Sequence, residues 1–305
     1  MTTAVAAPFR FFSLHVVRTR RLGPSMVRVT FAGTDLRAFH SDGRDQSLSL
    51  FLPHAGQREP RVPVELGDGW WQGWRELPDD VRAVMRSYTL RALRRDPDEI
   101  DIDFALHGVS PAVAPTGTPT VSPAVAPAQS RGSLSPAGPA SRWASRATAG
   151  DRVLLLGPAL ADNRAIRFRP PRDTDLVLIW GDETAVPAVA AILESLPAGT
   201  RARVWLEVHG AADVQDLATD ADAEITWLAR EGGPHTEDSP MALDVIRAAE
   251  LPAAQRPYVW IAGESGCVKA LRRHFVGERG TDRRRVTFVG YWRRGMSEEQ
   301  LREQA

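Results

Sequence analysis

The chain has 305 residues, 43% hydrophobic and 25% charged, a make-up that fits a soluble globular protein with room for two domains. Basic and acidic residues balance at 38 each, which argues against a nucleic-acid binder that relies on bulk charge. Cys267 is the only cysteine, so an internal disulfide and a four-cysteine iron–sulfur cluster are both excluded.

Lys269 is the only lysine; the other basic residues are arginines. No apolar run is long enough to span a bilayer, and Met1–Ala7 lacks the basic start and apolar core of a signal peptide. A cytoplasmic location is the expectation.

In chain order, residues 9–31 alternate and are rich in Val, Phe and Thr around a Gly23-Pro24 turn, which predicts a β-hairpin. Strands follow at 47–52, 86–91 and 100–107, and closely spaced strands with Gly/Pro turns predict a small antiparallel barrel. Residues 109–137 are Ala, Pro, Ser, Thr and Val with almost no charge, and read as an insertion without regular structure. A short helix is expected at 139–147 and a strand at 153–156. Pro158, Pro170 and Pro171 mark a boundary. Beyond it, strands at 176–180, 203–208, 225–228, 258–262 and 285–291 alternate with helices at 185–196, 241–250 and 267–278, the pattern of a helix-covered parallel sheet. The expected organisation is a barrel domain at 8–158, an α/β domain at 173–295 and a tail at 296–305.

Several segments offer chemistry. In Arg86-Ser87-Tyr88-Thr89, Arg86 presents a planar donor fork to a phosphate, Tyr88 an aromatic face, and Thr89 a hydroxyl to the polar edge of a ring. An amphipathic strand with an exposed arginine is the plainer reading of the tetrapeptide. Gly138-Pro139 leads into a helix start at Ala140 and Ser141, whose N–H groups suit a pyrophosphate; an ordinary capped helix is the alternative. His107 ends a strand that also carries Asp103 and Leu106, and it is either a ligand contact or a structural histidine.

Gly181, Asp182, Glu183 and Thr184 follow a buried strand, Glu207 ends the next, and Gly263-Glu264 follows a later one. These are positions beyond the carboxyl ends of parallel strands, where ligands bind, although the glycine-rich dinucleotide fingerprint is absent. Thr184 can cap the following helix. Glu207 could take ribose hydroxyls and disfavour a 2′-phosphate. Tyr291 and Trp292, then Arg293 and Arg294, could close over a planar group or attract an anion, or could end a packed strand. No metal-binding spacing is present.

Taken together the segments resemble the siderophore-interacting protein family, a branch of the ferredoxin-reductase-like superfamily. The resemblance runs through Met26-Val27-Arg28-Val29-Thr30, Arg86 to Arg91, Asp103 to Gly108 and Gly138 to Ala144. It continues through Gly181 to Ala185, Ala262-Gly263-Glu264 and Gly290-Tyr291-Trp292-Arg293. It implies an FAD-binding barrel and a C-terminal domain for NADH or NADPH, with Arg86, Ser87, Tyr88, Thr89, His107, Ala140 and Ser141 touching FAD. It further implies hydride transfer to the flavin and single electrons passed to ferric siderophore, without a protein acid or base as a catalytic residue.

Two departures concern the acceptor. The family often carries Lys where Ser49 stands, and Arg where Ala159 stands. Arg293 and Arg294 are then the remaining substrate candidates. A flavin reductase serving another acceptor or a partner enzyme, or fed by a ferredoxin, is the alternative expectation.

Overall fold

The computed structural model describes residues 8–108, 137–230, 241–296, 298 and 300. The expected insertion, apart from Ala137, and most of the expected tail lie outside these residues.

Seven antiparallel strands form the first unit: β1 (Phe9–Gly23), β2 (Met26–Ala32), β3 (Ser47–Leu52), β4 (Val84–Thr89), β5 (Ala92–Arg95), β6 (Asp98–Ala105) and β7 (Arg152–Pro158). Their order is β4-β3-β7-β1-β2-β6-β5. Alternation sets the faces. Phe12, Leu14, Val29, Phe31, Ile100, Ile102 and Phe104 fill the inside. Their neighbours Arg28, Thr30, Asp101 and Asp103 lie outside and pair across β2 and β6, because the register sets Arg28 opposite Asp103 and Thr30 opposite Asp101. The sheet curls until Tyr88, on edge strand β4, packs against Phe104 on β6 with ring centroids 4.4 Å apart.

Residues 53–83, which carried no clear pattern, hold a helix of about two turns. Helix α1 (Trp70–Glu76) lays Trp70 and Trp74 over Phe51 on the outer face, beside Met85. Helix α2 (Pro139–Ala144) is shorter than expected and sits between β6 and β7 in sequence.

The second unit is a parallel sheet, β10-β9-β8-β11-β12, built from β8 (Leu176–Gly181), β9 (Arg201–Val208), β10 (Asp222–Ala229), β11 (Pro257–Glu264) and β12 (Val286–Trp292). Helix α3 (Val186–Ser195) covers one face; α4 (Met241–Ala248) and α5 (Ser265–Arg273) cover the other. Strand β8 is buried at every position, as a central strand sandwiched between helices must be. The chain runs outward from β8 to β9 and β10, then returns to the other side of β8 as β11. Strand order therefore reverses between β8 and β11, the place where open parallel sheets bind ligands beyond the strands' carboxyl ends.

Specific contacts join the units. Ser25 N donates to Asp213 at 2.8 Å, and Arg91 grips Glu194 at the end of α3. Asp45 accepts from Arg167 N, Phe168 N and the indole of Trp260. Among the described residues no helix is long and apolar enough to cross a membrane.

Candidate active site

Strand β4 is an edge strand, and period-2 alternation points Arg86 and Tyr88 to one side, Ser87 and Thr89 to the other. Arg86 Nη1 donates to Met85 O at 2.7 Å, and its Nε lies 4.0 Å from Glu298. The N–H and hydroxyl of Ser87 both donate to the Glu298 carboxylate, at 3.1 and 2.9 Å. An anionic group thus already rests against the Arg86–Ser87 step. Burial drives the Tyr88 phenol well above its ordinary pKa, with Glu298 adding to the rise. Burial raises the pKa of the Tyr291 phenol on β12, with Asp45 adding to the rise and the Thr89 side chain opposing it.

At the end of β6 the structure redistributes several expected contacts. Asp103, expected to face a cofactor, is clasped bidentately by Arg28 at 2.6 and 2.7 Å and serves the strand pair instead. The Leu106 side chain joins the barrel core. The hydroxyl of Ser141 turns inward, donating to Ala105 O at 3.2 Å and accepting from His107 N at 3.3 Å; it fastens α2 to β6. What α2 leaves for a ligand is backbone, since first-turn N–H groups have no helical partner. Among the described residues, no atom beyond Gly138 and its chain neighbours lies within 4 Å of where a Cβ on Gly138 would stand. Ala140 is buried on the same helix.

His107 is where the two units meet. Its ring is half exposed, 5.9 Å from the ring of Trp292, with Nδ1 3.8 Å from Glu183 Oε1. Burial lowers its pKa, and Glu183 opposes that shift.

The carboxyl ends of the parallel strands are dense with carboxylates, and each has an internal task. Asp182 accepts from Thr184 N and Oγ1, from Glu264 N at 2.7 Å and from Trp292 Nε1 at 2.8 Å, which ties the ends of β8, β11 and β12 together. Burial, with Glu183 next door, pushes its pKa up to about 7 against those four donors. Thr184 does not cap α3 as expected; its hydroxyl goes to Asp182. Glu264 caps α5 through Gly266 N and Cys267 N. Arg294 N reaches Glu264 Oε1 at 3.4 Å, and Arg293 is exposed.

Glu207 is not free to take a ribose. Arg230, the residue after β10, binds Glu207 at 3.0 Å and Glu183 at 2.8 Å. The three side chains are 6%, 4% and 7% exposed for Glu207, Glu183 and Arg230. Burial raises the Glu207 pKa despite the arginine. Arg230 escaped notice in the sequence because its two partners come from different strands, and only the sheet order sets those strands side by side.

Gly263, near the end of β11, has φ +143°, and a Cβ there would meet Asp182 Oδ2 at 2.5 Å. Asp182 is pinned by four donors and cannot yield. Gly263→Ala is therefore expected to cost about 1–3 kcal/mol and to weaken nucleotide binding; a thermal melt and a nucleotide titration check both.

The family model for the siderophore-interacting FAD-binding domain matches residues 15–162, and that for the siderophore-interacting protein matches residues 174–295. This chain belongs to the siderophore-interacting protein family. It is 28% identical over 291 residues to the ferric vibriobactin reductase ViuB of Vibrio cholerae, covering 95% of this chain and 92% of that one. It is 28% identical over 292 residues to the NADPH-dependent ferric-chelate reductase of Escherichia coli, with 93% of each covered. Among solved structures, the siderophore-interacting protein SipS from Aeromonas hydrophila superposes with TM-score 0.70 at 29% identity, covering 97% of this chain and 96% of that one. A ferredoxin reductase of carbazole 1,9a-dioxygenase, at 15% identity and TM-score 0.59, shares the fold. The architecture is thus ferredoxin-reductase-like, the cofactor of the first unit is FAD, and the chain is a flavin-dependent oxidoreductase. The residues fit that group: a guanidinium at Arg86 and a half-buried ring at Tyr88 lie on β4, and a helix start follows Gly138 at α2 of the same unit.

Proposed function

We propose that the chain takes a hydride from NADH or NADPH and passes electrons one at a time to iron held by a ferric siderophore, releasing ferrous iron. The observation that carries this reading is the meeting of the units at His107, whose Nδ1 lies 3.8 Å from Glu183 Oε1 and whose ring lies 5.9 Å from that of Trp292. The end of β6 in the candidate flavin unit thus abuts the candidate nucleotide site. Bound FAD supplies the conversion of a two-electron donor into one-electron steps.

The chain's own residues bind and orient. Arg86, with the N–H groups opening α2, would hold the phosphates, and Tyr88 the ring. Gly181 and Gly263 let Ala185 and Asp182 pack close against the ends of β8 and β11, where a nucleotide would bind. Arg230 pairs with both Glu183 and Glu207, so the Glu207 charge is shared with a cation and is not bare against a 2′-phosphate. Arg293 and Arg294, which directly follow Trp292, would be the cationic contacts for an anionic chelate. A cytoplasmic setting, where NAD(P)H is available, belongs to the same proposal.

One observation favours a second reading, a reductase for another acceptor or a partner protein. Ser49 lies directly opposite Ser87 in the β3–β4 register, and Ser87 holds the Glu298 carboxylate. That spot is neutral to acidic, and Ala159 adds no charge. Anaerobic incubation of the FAD-loaded protein with NAD(P)H, a ferric siderophore and a ferrous trap separates the readings. Ferrous iron appearing at two ions per nucleotide oxidised is the expected result. Nucleotide oxidation that needs a partner protein, with no ferrous iron from any chelate, would establish the second.

A further inference from the structure

We infer that Asp45 is a positioning residue that sets the flavin strand against the nucleotide sheet, an inference that rests on hydride transfer occurring between the two units. Asp45 is 3% exposed. A buried carboxylate is costly unless hydrogen-bonded throughout. Here Oδ1 accepts from Arg167 N at 3.0 Å and Phe168 N at 2.9 Å, and Oδ2 from Phe168 N at 3.1 Å and Trp260 Nε1 at 3.0 Å. Its partners among the described residues are N–H groups, and they come from the connecting segment and from the core of the second unit, where Trp260 is fully buried.

Two short paths leave this carboxylate. In one direction the next residue, Gln46, accepts from Leu90 N at 2.9 Å, and Ser47 pairs with Thr89 in the β3–β4 ladder. Asp45 is therefore one residue from the backbone that fixes the end of the flavin strand. In the other direction Trp260 lies on β11, beside Thr287 of β12. At the end of the same strand the ring of Trp292 lies 5.9 Å from that of His107, just past β6. The path from Leu90 through Gln46, Asp45, Trp260 and β12 to Trp292 and His107 thus crosses the interface and returns. Its geometry is set at both oxygens of one side chain.

The chemistry of the side chain explains why a carboxylate is used. An asparagine amide has one acceptor oxygen, and its NH2 would face either the paired backbone N–H groups or the indole N–H. One arm of the pin would open while volume and fold are kept.

The test is Asp45→Asn, with Trp260→Phe as a second variant that removes the indole donor and keeps the charge. A misplacement of about 1 Å can cost about a hundredfold in rate. In stopped-flow reduction of FAD-loaded protein, both variants are expected to slow flavin reduction by at least about tenfold. FAD retention and nucleotide Kd are expected to stay within about twofold of wild type. In cofactor-free Asp45→Asn, hydrogen exchange is expected to rise at the Arg167, Phe168 and Leu90 amides. Wild-type reduction rates in both variants would overturn the assignment. So would a loss of FAD or of fold with an unchanged rate per loaded molecule, which would make Asp45 a purely structural residue. If wild type is itself reduced by neither nucleotide, the functional reading fails instead, and unchanged exchange at those three amides then overturns the pin independently.

Discussion

Arg230→Met is expected to destabilise the protein by about 3–5 kcal/mol near neutral pH, because it removes the guanidinium that two buried carboxylates share. Met preserves most of the side-chain volume, so the effect reads the charge and not a cavity. Both partners are almost wholly enclosed, and Arg230 bonds each directly. The pH dependence has a definite sign. The Glu207 pKa is already raised in the folded protein by burial, and removing Arg230 raises it further. A carboxyl group with a raised folded pKa favours folding below its unfolded pKa and loses that contribution as pH rises through the folded value. The gap between variant and wild type should therefore be widest near about pH 8 and narrow towards about pH 5. Adding Glu183→Gln and Glu207→Gln should recover much of the loss. Denaturant titrations at the two pH values check this. An equal loss at both would mean the arginine acts by packing alone.

Arg86→Ala is expected to weaken FAD binding by about 1.5–3 kcal/mol, roughly ten- to 150-fold in Kd. The side chain is mostly buried at 16% exposure, and it adjoins the place where Glu298 rests on Ser87. That pocket accepts an oxyanion, as a pyrophosphate contact requires. Arg86→Lys should fall between wild type and alanine, since it keeps the charge and loses the fork. Titrating cofactor-free protein with FAD by fluorescence quenching measures the series. An unchanged Kd in the alanine variant removes Arg86 from the site.

What the sequence disclosed and what it concealed follows from the range of each interaction. The barrel strands were legible because alternation such as Val27-Arg28-Val29-Thr30-Phe31 is local, and the parallel sheet because strand and helix patterns succeed one another within a few residues. The order Arg86, His107, Gly138, Gly181, Gly263, Trp292 was legible as a resemblance. Side-chain partnerships were not. Asp103 meets Arg28, 75 residues away, only through the β2–β6 register. Glu207 meets Arg230 only because β10 lies beside β9. Asp45 meets Trp260, 215 residues away, only through the packing of the two units. Helix α1 was missed because seven residues with a central glycine make too short a pattern, and its tryptophans gain their meaning from Phe51 beneath them. Carboxylates that looked available in the sequence, at 103, 182, 207 and 264, are those the fold uses for itself.

The most direct measurement is the visible spectrum of the purified protein, followed by anaerobic addition of NADH and then NADPH. The expected result is a yellow protein with flavin absorption that bleaches with at least one nucleotide. A colourless protein that takes up no added FAD would contradict it.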